Sequence, residues 1–170
     1  MDIWQALLSS SIPDYTIRLG AAAVMGGIIG LDREARDRPA GLRTHMMTAM
    51  AASIFTILTL DLHETFATQN PQSNADPIRV IEAVTAGVAF LAAGAIIQAR
   101  GHVKGLTTGA GMWLAGALGV ACGMQNYTVA FTGLILAILI LAVIRPLEWK
   151  FGRKAEDPSD TPDRFPKNSS

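Results

Sequence analysis

Long apolar stretches separated by shorter polar segments dominate the hydrophobic pattern of this chain. Each stretch approaches the ~20 residues that an α-helix needs to cross a bilayer. Charged residues, prolines or polar turn formers mark the breaks between them. The pattern predicts an all-α, polytopic membrane protein of about five transmembrane helices, over residues 15–31, 44–62, 78–98, 109–124 and 127–144.

These helices divide the chain into three parts. Residues 1–14 are a short amphipathic lead, 15–146 are the transmembrane domain, and 147–170 are a tail whose Pro, Asp, Ser and Lys content predicts mostly disorder. Residues 63–78 contain prolines and polar turn formers and are predicted to be a loop. Arg145-Pro146 is predicted to end the last helix.

Composition agrees with this class, because 50% of the residues are hydrophobic and only 16% are charged, against about 25% charged in soluble domains. The equal numbers of basic and acidic residues argue against a nucleic-acid partner. Cys122 is the only cysteine, so an intramolecular disulfide and a cysteine zinc cluster are excluded. No catalytic motif appears, and His45, His63 and His102 have no metal-ligand spacing. We therefore expect no enzyme, no metal site and no cofactor.

The distribution of basic residues predicts how the helices are oriented in the bilayer. With five spans, twelve of the fourteen lysines and arginines fall in the 30–45 segment, the 99–108 segment and residues 145–170. Only Arg18 and Arg79 fall on the other side. The positive-inside rule then places the N-terminus outside the cell and the C-terminus in the cytoplasm.

The 30–45 segment is the densest polar feature of the chain. Negative charge at the C-terminus of a helix is unfavourable, so Asp32 and Glu34 are expected to have arginine partners such as Arg33 and Arg38. These four residues are then structural charges. The alternative is that Asp32, Glu34 and Asp37 supply oxygen ligands to a hard cation such as Mg²⁺.

Two polar segments resemble each other, since Gly41-Leu-Arg-Thr44 and Gly105-Leu-Thr-Thr108 each precede a predicted helix. Two helix pairs in the same sense would form a parallel repeat, with the N-termini of the second and fourth helices side by side. Thr44 and Thr107 or Thr108 are suitable N-caps, and free N–H groups at helix N-termini favour anions. Capping alone is one interpretation. The other is a cytoplasmic binding face for a phosphate, a lipid headgroup or a partner carboxylate, made by Arg43, Thr44, Thr107 and Thr108.

Small residues recur at helical spacing and predict close helix packing. Gly26 and Gly30 form one such pair, and the fourth helix carries a row of small residues at intervals of four. The glycines predicted to serve packing are Gly26, Gly30, Gly41, Gly94 and Gly105.

Two motifs resemble the signatures of the MgtC/SapB family of membrane proteins. The first is Gly26-Gly-Ile-Ile-Gly-Leu-Asp-Arg-Glu34 followed by Arg38-Pro-Ala-Gly-Leu-Arg-Thr-His45. The second is Phe90-Leu-Ala-Ala-Gly-Ala-Ile-Ile97 followed by Val103-Lys-Gly-Leu-Thr-Thr-Gly-Ala-Gly-Met-Trp113. Two features depart from the family: Ala89 and Ala92 stand where glycines are usual, and the tail is too short for the ACT-like domain of many members.

The resemblance implies a multi-pass protein of the bacterial inner membrane that acts as a regulator rather than as a Mg²⁺ carrier. It implies a link to Mg²⁺ limitation, stress adaptation or virulence through other membrane complexes, such as the proton-translocating ATP synthase. A small transporter or channel subunit for an ion is the alternative. Beyond the lipid bilayer, other membrane proteins or further copies of the chain are the expected partners.

Overall fold

The computed structural model describes residues 12–36, 38, 40–69, 76, 78–97 and 105–152. Within these ranges there are five α-helices and no strand. The helices are α1 (Ile12–Glu34), α2 (Leu42–Gln69), α3 (Ile78–Ile97), α4 (Leu106–Gly123) and α5 (Tyr127–Gly152). The predicted all-α fold with five helices is therefore confirmed.

Eight of the ten helix ends differ from the sequence prediction, and three of the differences change a predicted segment. α1 already includes 12–14, which were predicted to belong to the lead. The predicted loop at 63–78 is wrong over 63–69, because α2 continues to Gln69 before the first proline of that segment is reached. The predicted stop at Arg145-Pro146 is also wrong, since α5 continues to Gly152. The proline removes one backbone hydrogen bond of the helix but does not end it. The lead at 1–11, most of the 99–108 segment and the tail from 153 lie outside the described residues.

Among the described helices, three are long and apolar enough to cross a membrane, and these are Leu42–Gln69, Ile78–Ile96 and Leu106–Gly123. The apolar part of α5, Tyr127–Val143, is shorter. α1 has charged residues near both ends, including Asp14, Arg18 and Arg33. The number of spans and their orientation remain predictions.

Helices α1, α2 and α4 pack together with very close backbones. A Cβ atom at Gly26 of α1 would lie 2.5 Å from the carbonyl oxygen of His45 on α2, and one at Gly119 of α4 would lie 2.1 Å from that of Ala49. Only glycine permits these approaches, because no real Cβ fits at such distances. The buried Ala22, Ala49, Ala115 and Cys122 complete this core.

The order of these contacts gives the helix directions. Gly111, Gly119 and Gly123 of α4 meet the region of His45, Ala49 and Ser53 in the same order along α2. α2 and α4 therefore run parallel, and their N-termini lie at the same end of the bundle. α1 runs antiparallel to α2, and α3 runs antiparallel to α4, against which it packs mainly through Val88 and Ala92.

The chain consists of two compact units, and the boundary between them follows Ile135. In the first unit, Ala130 and Leu134 at the start of α5 belong to the same buried cluster as Leu118. The described part of the second unit is the continuation of α5. Its large aliphatic side chains are exposed, as expected for a surface that contacts lipid: Leu136, Ile138, Leu139, Ile140 and Val143.

A polar cluster joins the start of α1 to the C-terminal parts of α2 and α4. Arg18 pairs with Asp14 and donates to the Gly123 carbonyl over 3.2 Å. The Tyr15 hydroxyl donates to the Asp61 carboxylate over 2.7 Å. A cation beside the last carbonyls of a helix satisfies groups that have no intrahelical partner. Asp14 and Arg18 are four positions apart, a spacing that predicts this pair from the sequence. The structure confirms the pair and makes it part of a larger contact between helices.

Replacing Gly26 with alanine should destabilise the bundle by about 1–3 kcal/mol, because the new methyl group would overlap the α2 backbone. Gly20→Ala, on the same helix with nothing within 4 Å of its Cβ position, is the matched control and should be neutral or slightly stabilising. Denaturant titration of both variants in detergent micelles checks this. Equal stability of the two variants would contradict the close-packing account.

Candidate functional site

Asp32, near the end of α1, is shared by two arginines. It contacts the guanidinium groups of both Arg33 and Arg36, and Arg36 Nε donates to its Oδ1 over 2.8 Å. Arg33 is only 7% exposed, so its charge needs this partner. The carboxylate of Asp32 is therefore committed to holding the end of α1.

Glu34 has a different role from the one predicted for it. Its Oε2 accepts a hydrogen bond of 3.0 Å from the backbone N–H of Leu42, the first residue of α2. Among the described residues it has no arginine partner. The expectation of one is wrong because the chain folds back and places this carboxylate at the N-terminus of α2, where negative charge is favourable.

Gly41 makes this arrangement possible. A Cβ at position 41 would lie 1.7 Å from Glu34 Oε2, so any side chain there would displace the carboxylate. Gly30 lies just behind, where a Cβ would be 2.8 Å from the Leu42 Cα. Gly30 and Gly41, two of the glycines of the first motif, therefore allow α1 and α2 to meet at this turn.

The threonines predicted to cap α2 and α4 lie inside the helices instead. α2 begins at Leu42, so Thr44 is in its first turn, and its carbonyl accepts a 2.8 Å bond from the Thr48 hydroxyl. α4 begins at Leu106, and its N-cap is Gly105, which has a φ of 97° and no side-chain cap. The predicted N-cap roles of Thr44, Thr107 and Thr108 are wrong, because the Glu34 carboxylate and the left-handed Gly105 occupy those places.

The two remaining packing glycines differ from each other. A Cβ at Gly105 would lie 3.1 Å from the Ala95 carbonyl oxygen, so this residue packs closely on the end of α3. No atom of the described structure lies within 4 Å of the Cβ position of Gly94. The residue is on an exposed side of α3, so its packing role stays a prediction.

The four residues of the predicted binding face lie at one end of the bundle but do not converge on one pocket. Arg43 is exposed, as are Met47 and Met50 on the same outer stripe of α2. Thr44 and Thr107 are also exposed. Thr108 is 1% exposed and faces the core. The face is therefore an open surface with Arg43 and the exposed Arg38 as its basic groups.

His45 is the residue of this region that the sequence analysis did not single out as a site. It is fully buried between α1, α2 and α4. Its Nδ1 lies 2.8 Å from the Gly41 carbonyl oxygen, to which it donates. Its Nε2 has no partner among the described residues, and a Cβ at Gly111 would lie 3.0 Å from it. The only signal for it in the sequence is its place at the end of the first motif.

The described residues contain no group of three His, Cys, Asp or Glu side chains that could hold a metal ion. Asp32 is bonded to arginines and Glu34 to a backbone N–H. Neither Asp32 nor Glu34 is therefore left free as a cation ligand, and Asp37 lies outside the described residues.

Comparison with known proteins decides the family, since the model of the MgtC family matches residues 19–150. The chain belongs to the MgtC family. It is 35% identical over 138 residues to Protein SapB of Bacillus subtilis, covering 81% of this chain and 58% of SapB. It is 33% identical over 129 residues to Protein MgtC of Brucella abortus, covering 76% of this chain and 50% of that protein.

A third relative is the Escherichia coli K12 protein named "Putative magnesium transporter YhiD", which is 32% identical over 142 residues, covering 83% of this chain and 65% of that protein. The chain thus spans between half and two thirds of the length of these relatives. No solved structure matches. Family membership and the three long apolar helices identify a membrane protein.

The Glu34–Gly41 arrangement predicts coupled mutational effects. Glu34→Ala should destabilise the protein by about 1 kcal/mol through loss of the α2 cap. Gly41→Ala should have a similar effect, because its methyl group displaces the same carboxylate. Together the two changes should cost clearly less than their sum, as a double-mutant cycle of unfolding free energies would show. Strict additivity would mean that the two residues act independently.

Proposed function

We propose that this chain is a non-enzymatic regulatory protein of the bacterial inner membrane, of the MgtC/SapB type. In this proposal it acts in Mg²⁺ limitation, stress adaptation or virulence by contacting other membrane complexes, among which the ATP synthase is one candidate. The N-terminus is outside and the C-terminus cytoplasmic, so the α1–α2 turn faces the cytoplasm. Its relatives named MgtC and SapB support this assignment.

The observation that carries the proposal is the closed packing between α2 and α4. These are two of the three described helices that are long and apolar enough to cross a bilayer. They meet at backbone distance where Gly119 lies on the Ala49 carbonyl. A solvated ion cannot pass between surfaces in such contact. The interface therefore suits a rigid scaffold that presents its ends to partners.

The basic surface at the α1–α2 turn supplies the contact in this proposal. Asp32 and Glu34 are already engaged, whereas Arg38 and Arg43 are exposed. The available charge is thus positive, and it suits a lipid phosphate or an acidic partner segment. Met47, one turn below Arg43 and 65% exposed, gives this surface an apolar border toward the bilayer.

Ion transport is the second candidate, because one relative carries the name of a magnesium transporter. One opening among the described residues is a groove of about 570 Å³ between α2 and α3. It is lined by apolar side chains and by two threonines, Thr48 and Thr59, whose hydroxyls already donate to carbonyls of their own helix. Mg²⁺ requires an octahedral set of oxygen ligands, and this groove does not offer one. The geometry favours the regulator.

Flux measurements separate the two candidates. The full chain is reconstituted into liposomes that contain a Mg²⁺-sensitive or pH-sensitive dye. We expect flux no greater than that of empty liposomes. Saturable Mg²⁺ or proton flux would overturn the regulator and establish transport.

Arg43→Ala should weaken the function in cells while leaving membrane insertion intact, because it removes exposed charge and breaks no contact within the described structure. Complementation of a deletion strain in low-Mg²⁺ medium, normalised to the membrane level of the protein, measures this. Arg43→Lys keeps the charge and should retain more activity than the alanine variant. Full complementation by Arg43→Ala would remove Arg43 from the proposed surface.

A further inference from the structure

One face of α3 carries a pair of opposite charges that has no ion-pair partner among the described residues. Arg79 and Glu82 both lie inside the apolar span Ile78–Ile96, and both are exposed. Neither side chain forms an ion pair with any described residue. Ionisable groups in a membrane span are costly and are almost always paired or turned toward protein. This face of α3 therefore calls for a protein partner.

The middle of this face carries small residues, and the larger exposed side chains Ile78 and Phe90 lie at its edges. Glu82 is followed at helical spacing by Ala86, Ala89 and Ala93, all exposed. The exposed part of α5, in contrast, carries large aliphatic side chains. Small residues let helix backbones approach closely in membranes, where packing rather than hydrophobicity drives association.

We propose that α3 is the contact between two copies of this chain, related by a two-fold axis along the membrane normal. In such an interface both copies use the same surface patch. If residue i of the first copy contacts residue j of the second, then residue j of the first copy contacts residue i of the second. Arg79 of each copy then pairs with Glu82 of the other. The two residues are three positions apart, about 4.5 Å along the axis, which two parallel helices in contact can bridge.

The second copy is preferred over a different protein because the charges are self-complementary. Across a two-fold axis, Arg79 of each copy faces Glu82 of the other copy. Both charges of both copies are then paired. Val84, Val88 and Ala92, which are buried, lie on other sides of α3, so the contact leaves the packing within each chain unchanged. The proposal is independent of whether the protein regulates or transports.

Cysteine crosslinking in intact membranes tests the interface. In a Cys122→Ala background, Ala86→Cys on the proposed face is compared with Met47→Cys, which is 65% exposed on α2. We expect a crosslinked dimer for Ala86→Cys and little for Met47→Cys. Equal crosslinking of the two, or an Ala86→Cys product of another mass, would overturn the proposal.

Charge reversal tests the pairing itself. Both variants are made in the Ala86→Cys, Cys122→Ala background. Arg79→Glu places two acidic groups of one copy against two acidic groups of the other. Glu82→Arg places two basic groups of one copy against two basic groups of the other. Each variant alone should lose dimer at least about tenfold, because like charges in an interface cost several kcal/mol. When the two variants carry different tags and are produced together, the mixed dimer should return. Its return also shows that both variants fold.

Two results of the charge-reversal experiment would overturn the proposal. One is wild-type crosslinking by either variant alone. The other is absence of the mixed dimer while both variants are present in the membrane at wild-type levels.

Discussion

The structure depends on backbone contact between helices, which glycine alone permits. Where Gly26 and Gly119 face the carbonyls of His45 and Ala49, a single methyl group would overlap the neighbouring main chain. In a bilayer the apolar surfaces of helices gain little by leaving lipid, so van der Waals contact at short range has to hold them together. The parallel direction of α2 and α4, and the burial of His45 between them, follow from these contacts.

The turn between α1 and α2 shows how charged residues can serve the same packing. Asp32 neutralises Arg33, which is buried, and Glu34 supplies the acceptor that the first N–H of α2 requires. Both functions are local, and together they fix the angle at which the chain enters α2. Among the described residues of the turn, the exposed charges without a partner are those of Arg38 and Arg43, and this is why the proposed partner is anionic.

The sequence predicts the number and order of helices well, because apolar length and polar breaks are properties of the chain itself. It also predicts Arg18–Asp14, whose spacing is that of one helical turn. The role of Glu34 could not be predicted, since its partner is eight residues away and depends on how sharply the chain turns. The sequence predicts helix packing for Gly94 and an N-cap of α2 for Thr44 because glycine and threonine suit these roles. The neighbours of each residue cannot be identified from the sequence. Burial of His45 likewise depends on Gly111, which is distant in the chain.

The antiparallel arrangement of neighbouring helices has an electrical consequence. α1 and α3 end at the face of the bundle where α2 and α4 begin. The N-termini of α2 and α4 carry partial positive charge there, and the C-termini of α1 and α3 carry partial negative charge. These partial charges largely cancel beyond short range. The long-range field of this face comes from its arginine side chains. Its strength is thus set residue by residue, so evolution can retune attraction to an anionic partner through surface substitutions while the helix packing stays the same.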